Sequence, residues 1–271
     1  MSADQNKGVL LPKPSTNDDV VTFSVIDRAA VITINRPRAR NAINGEVARG
    51  IEGLIDRLEE DDHLRVGVLT GMPPVFCAGG DLKEVLTDVD QRVTPKGGFA
   101  GIVSRQRSKP IIAAVEGAAL AGGLEICLSC DLIVASSDAR FGLPEVTHGL
   151  IAGSGGLFRL RRKIPFNVAM EMVLTGAAIG AKRAQQVGLV NCLTAPGEAL
   201  GRSLQIAGQI ARNAPLAVQE SRRVMLQSTH GDEQAEWLRS ASALADIMAT
   251  KDAHEGLAAF SESRPPIWTA E

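Results

Sequence analysis

Six short apolar runs, at 20–26, 30–34, 66–70, 111–115, 132–135 and 189–193, are separated by stretches of helical period or glycine-rich composition, and none follows residue 198. Runs this short, rich in Val and Ile, fit strands buried on both faces. Strands that alternate with helices call for a largely parallel sheet covered by those helices. The first two runs are separated only by Asp27, Arg28 and Ala29, which is too little chain for a crossover, so they form a hairpin. After them Asn44 caps a helix in which Val47, Ile51, Leu54, Ile55 and Leu58 share one stripe and Glu52, Asp56 and Glu59 lie outside it. Beyond residue 198 the periodicity is helical throughout, at 199–212, 216–226, 233–249 and 253–260. The expected organisation is a flexible N-terminal segment at 1–19, an α/β core at 20–197 and a C-terminal helical region at 198–271.

Composition removes several function classes. With 29 basic and 31 acidic residues the net charge is −2, so no general positive field draws the chain to a nucleic acid. The apolar runs are too short to cross a bilayer, and residues 1–20 are polar with no apolar h-region, so a cytoplasmic protein without a membrane partner is expected. Four cysteines in such a chain read as reduced thiols, and the Cys127-x-x-Cys130 pair lies inside an apolar segment as small hydrophobes. His63, His148, His230 and His254 have no ligand spacing, and no metal site is expected.

Three segments join glycine to an acid: 76–82 (FCAGGDL), 121–125 (AGGLE) and 141–145 (FGLPE). Taken singly, each glycine reads as a turn between a strand and a helix. Together they read differently. Glycine lets a ligand approach the backbone closely, so Gly80 and Gly122 can each aim an N–H at one oxygen, and a helix starting near Gly122 would add its positive end. Glu125 sits in an otherwise apolar stretch, where a carboxylate is costly unless it is paired, hydrated or used. Glu145, beside Pro144, is on its own an ordinary helix-start acid. Two placed acids next to two backbone donors point to proton transfer at an activated carbonyl.

With 35–44 (NRPRARNAIN) and 174–176 (LTG) these segments run in order through the chain, which resembles the crotonase (enoyl-CoA hydratase/isomerase) superfamily. The resemblance implies a spiral of ββα units with a C-terminal helical trimerisation region. It implies an acyl-CoA thioester as substrate, its oxygen held by the N–H groups of Gly80 and Gly122. Glu125 and Glu145 would then flank a water that adds syn across the 2,3 double bond. CoA would lie along Arg38, Ala39, Arg40, Ala78, Asp81 and Leu82, with Phe260 and Arg264 reaching it from a neighbouring subunit of a homotrimer or dimer of trimers. No resident cofactor is implied, since coenzyme A comes with the substrate.

The segments 97–101 (GGFAG), 143–145 (LPE) and 265–268 (PPIW) resemble the carnitinyl-CoA dehydratase branch, which implies crotonobetainyl-CoA as a candidate substrate. A trimethylammonium group is usually met by aromatic rings, and this chain has 7 Phe, 2 Trp and no Tyr, which leaves Phe99 with one carboxylate to meet it. Leu143 stands where many hydratases carry glutamine, and Ser263 where a CoA-contacting lysine is common. The Gly-rich stretch 84–109 is expected to be mobile and to cover the acyl pocket. An isomerase of the same family, which often lacks one of the acids, and a non-catalytic CoA-thioester binder are the competing readings; both acids are present.

Overall fold

The computed structural model describes residues 19–81, 89–227, 242, 246–247, 249–262 and 264–271. The expected N-terminal segment therefore lies, apart from Asp19, outside the described residues, as does nearly all of the helix expected at 233–249.

The hairpin forms as β1 (Val21–Ile26) and β2 (Ala29–Ile34), turning at Asp27 with φ 53°. Next comes α1 (Gly45–Glu60), whose Asn44 side chain accepts from the Val47 N–H at 3.0 Å. Its stripe of Val47, Ile51, Ile55 and Leu58 is fully buried, each side chain stabilising the fold by roughly 1.5–3 kcal/mol. The far end of α1 is closed by the buried ammonium of Lys109, which donates to the carbonyls of Leu58 at 2.8 Å and Asp61 at 2.9 Å. A cation there answers both the unpaired carbonyls and the negative end of the helix dipole.

From β3 (Val66–Gly71) onward the chain repeats a cycle between two sheets. β6 (Ile111–Val115) runs in the large sheet, β7 (Ala118–Leu120) in a small one, and α2 (Gly122–Ser129) returns. The next cycle is β8 (Leu132–Ser136), β9 (Arg140–Gly142) and α3 (Gly156–Lys163), followed by α4 (Phe166–Thr175). This is the α/β spiral expected. Between β3 and β6 a two-stranded ladder, β4 (Val93–Thr94) with β5 (Gly98–Phe99), is inserted. β10 (Ile179–Gly180), α5 (Ala181–Gln186) and β11 (Cys192–Thr194) finish the core.

The large sheet has the order β1-β2-β3-β6-β8-β11, antiparallel at β1–β2 and parallel elsewhere. One face packs on α1 and α2; the other packs on α6 (Ala199–Ala211). Two covered faces explain strands that are apolar at successive residues. The small sheet, β10-β9-β7, extends at its β7 edge through a bridge between Cys77 and Ala119.

The strand expected at 189–193 starts later. Gly188, at φ 85°, turns the chain so that the Leu189 N–H caps the Ala184 carbonyl of α5 at 2.9 Å; the Asn191 N–H is the first to reach β8, at the Ile133 carbonyl 2.9 Å away, and the strand register runs from Cys192. After β11 the described elements are helical: α6, α7 (Pro215–Gln227) and α8 (Lys251–Ser261). The end of the chain folds back on its own α6 and α8, with the Trp268 indole donating to the Arg212 carbonyl at 2.6 Å and the Thr269 N–H to Asp252 at 2.7 Å.

Candidate active site

Segment 77–81 is held between two neighbours that fix where its backbone points. Cys77 donates to Ala118 at 3.1 Å and accepts from Leu120 at 3.0 Å, while Ile43 donates to Gly79 and accepts from Asp81, both at 2.8 Å. In a parallel bridge of this kind Gly80's own N–H points away from Ile43. Across from it, Gly122 is the first residue of α2, so its N–H has no acceptor within the helix. Gly122 comes close to Gly79, the neighbour of Gly80: a Cβ built on Gly122 would lie 3.5 Å from the Gly79 Cα and 2.5 Å from the Phe99 ring, which favours glycine there. Ala121, just before, has φ 50° and ψ −125°, a conformation costing a non-glycine residue about 1–3 kcal/mol. Strain at that position aims the helix start, and nothing in the sequence announces it.

Glu125 lies in the first turn of α2 and is 4% exposed. Its Oε1 accepts from the N–H groups of Ser154 at 2.7 Å and Gly156 at 2.9 Å, where α3 begins. A Cβ on Gly156 would come within 3.0 Å of that oxygen, so this glycine is needed for the approach. Burial pushes the Glu125 carboxyl above its ordinary range, and the two N–H bonds and the charge of Arg159 pull it back. Glu145 sits in a short 3-10 helix, Pro144–His148, that packs against α4. Burial raises its pKa too, and the charge of Glu125 raises it further; its own N–H and His148 oppose. Its Oε2 is buried with no hydrogen-bond partner. Two carboxyls close enough to repel, one anchored on both of its N–H donors and the other carrying an orphan acceptor, suit a base and an acid on one water.

The expected CoA contacts are grouped less uniformly. Pro37–Ala39 forms a 3-10 turn ended by left-handed Arg40, whose carbonyl accepts from Ala78 N–H at 3.1 Å, so Arg38, Ala39, Arg40 and Ala78 are adjacent. Asp81 pairs with Arg36 at 3.1 Å and fastens the 36–42 loop to the Gly80 segment. Asn41, fully buried, completes that fastening through bonds to Met72 and Val75, each 2.7 Å. Leu82 lies outside the described residues. Phe260 is on α8, with its side chain outside the described residues, and Arg264 is paired in its own chain with Glu255 and Glu262, each at 2.6 Å.

The described part of 84–109 is a hydrogen-bonded knot tied to α1. Gly98, Ala100 and Gly101 all have positive φ, and Glu52 of α1 accepts from Gly97 at 2.6 Å, from Lys96 at 3.1 Å and from the Thr94 hydroxyl. A carboxylate outside the apolar stripe of α1 anchors this knot and with it Phe99. Among the described residues no group of His, Cys, Asp and Glu could hold a metal ion, and no helix is long and apolar enough to cross a membrane.

A sequence profile described as enoyl-CoA hydratase/isomerase matches residues 27–271. The 2,3-dehydroadipyl-CoA hydratase of Escherichia coli is 38% identical over 241 residues, covering 88% of this chain and 94% of that one. The crystal structure of an enoyl-CoA hydratase from Mycobacterium tuberculosis H37Rv superposes with a TM-score of 0.90 at 44% identity, covering 94% of this chain and all of the other (100%). That of a carnitinyl-CoA hydratase from Mycobacterium avium does so at 0.75 and 39%, with coverage of 94% and 100%.

Proposed function

Because the chain belongs to the enoyl-CoA hydratase/isomerase family, we propose that it is an enoyl-CoA hydratase, adding water reversibly and syn across the 2,3 double bond of an acyl-CoA thioester. The observation that carries this reading is the pair Glu125 and Glu145, a buried and a half-buried carboxyl near enough for the charge of Glu125 to raise the pKa of Glu145, together with the glycine pair whose N–H groups face away from their own bridge and helix. The thioester oxygen accepts from Gly80 and Gly122, each donor being worth on the order of 3 kcal/mol to the enolate-like transition state. Glu125, whose carboxylate oxygen accepts from two backbone donors, takes a proton from water as the water oxygen bonds to Cβ. Glu145, whose proton is favoured by burial and by Glu125, delivers one to Cα. Water supplies both the hydroxyl and the net proton, so the reaction calls on no resident cofactor.

The hydratase names of the relatives support addition of water over isomerisation. For the acyl group, the likeness to the carnitinyl-CoA hydratase structure supports a crotonobetainyl chain. The geometry at Phe99 weighs against it, because the ring is buried and its face already looks at the guanidinium of Arg92, 5.9 Å from the ring centre. A short enoyl chain is the reading we adopt. Assembly as a homotrimer or dimer of trimers is supported by an exposed apolar face made of Leu150, Ile151, Phe158, Phe166, Met170 and Leu174, next to the Glu145 turn. Water around a monomer would meet this whole patch. Incubating the protein with crotonyl-CoA and following the loss of conjugated-thioester absorbance tests the function. Hydration is expected; binding without turnover would leave a CoA-thioester binder, and a shifted double bond an isomerase.

A further inference from the structure

Arg92 ends a 3-10 turn, Val89–Arg92, and its carbonyl accepts from the Ala100 N–H at 3.0 Å, so its backbone is tied to the knot that carries Phe99. From there its side chain reaches over the oxyanion glycines. A Cβ on Gly80 would lie 2.0 Å from the Arg92 Nη1, and the guanidinium stands over the Phe99 ring, which itself presses on Gly122. Its Nε is buried without a hydrogen-bond partner. Four other arginines are matched to carboxylates, Arg36 to Asp81, Arg105 to Asp56, and Arg107 and Arg222 to Asp131, whereas Arg65, far from the glycines, shares with Arg92 a buried Nε without a partner. Among the described residues Arg92 has no carboxylate partner.

A planar, permanently charged fork with a desolvated donor, held beside the reacting thioester, is suited to a carboxylate and hostile to a cation. We propose that Arg92 is a specificity residue for an anionic acyl group: the preferred substrate is an enoyl-CoA whose short acyl chain carries a carboxylate a few bonds from the double bond. A trimethylammonium at that place would set two positive charges together in a partly desolvated pocket. The proposal rests on the hydratase reading for the reaction, though not for binding. It makes Arg92 the counter-ion of the acyl end, while Gly80 and Gly122 keep the thioester oxygen.

The test compares glutaconyl-CoA, crotonyl-CoA and crotonobetainyl-CoA as substrates by kcat/KM, and the saturated esters glutaryl-CoA and butyryl-CoA as ligands by calorimetric Kd. Wild type should favour the carboxylated ester in both series. Arg92→Gln should shrink that preference roughly 10- to 100-fold, the range for a charge-assisted hydrogen bond. Arg92→Lys should keep part of it, and Arg92→Glu should shift the ratio toward crotonobetainyl-CoA, a gain that misfolding cannot produce. Equal losses on every ester in Arg92→Gln, or a wild type indifferent to the carboxylate, would overturn the proposal. If no ester is hydrated but glutaryl-CoA still binds more tightly than butyryl-CoA, the hydratase reading fails and the role of Arg92 stands.

Discussion

Glu145→Gln keeps the shape of the side chain and removes its charge, which separates proton chemistry from packing. The wild-type carboxyl is half-buried, its Oε2 has no partner, and burial together with the charge of Glu125 pushes its pKa up. A buried acceptor left unsatisfied costs about 1–3 kcal/mol. Glutamine still buries a polar group but no charge, so a gain of about 1 kcal/mol is the expected size, which corresponds to roughly 2–4 °C in Tm for a chain of this length. The pH dependence has a definite sign. The native state holds this proton more tightly than the unfolded chain, so ionising Glu145 weakens the fold as pH rises from the unfolded carboxylate value through the raised native one. Below that window Glu145 is protonated in both states and the variant should match wild type; above it the variant should be the more stable. Turnover of crotonyl-CoA should fall by about 10²- to 10⁴-fold, because the amide cannot hand over a proton. Thermal unfolding across this pH range, paired with the absorbance assay, reads both quantities. A variant that turns over normally, or that melts below wild type at pH 8, would refute the assignment of Glu145 as a strained acid.

Glu116 accepts from Gly197 at 3.0 Å and Ala199 at 2.9 Å and so ties the start of α6 to the β6–β7 connection. Glu116→Ala leaves both N–H groups without an acceptor and should cost about 2–5 kcal/mol in urea unfolding; a loss under ~0.5 kcal/mol would show that water takes over those donors. For assembly, light scattering at micromolar concentration should return a trimer or hexamer, and Phe166→Glu combined with Leu174→Glu should shift it to smaller species, since both side chains are exposed, Leu174 at 70%. A wild-type monomer would remove the basis for this.

What the sequence determined by itself is periodic or chemical in kind. The hairpin, the strands at 66, 111 and 132, the Asn44-capped helix and the late helices follow from local alternation and capping, which depend on neighbours a few residues away. The glycine and acid segments also marked Gly80, Gly122, Glu125 and Glu145, because a carboxylate in an apolar run and paired glycines are anomalies visible in one dimension. Only the tertiary structure decided how those residues meet. The small sheet was missed since strands of two or three residues, such as β7 and β9, carry no period of their own and exist through pairing with distant chain. The pairing of Asp81 with Arg36, and the anchoring of the Phe99 knot by Glu52, which the helix period placed only outside the apolar stripe, both join segments with no shared local pattern. Arg92 gave no local signal at all. Its place over Gly80 is set by the knot around Phe99, which the distant Glu52 ties to α1, and the charge of a side chain acquires a function only once the distance to its neighbours is fixed.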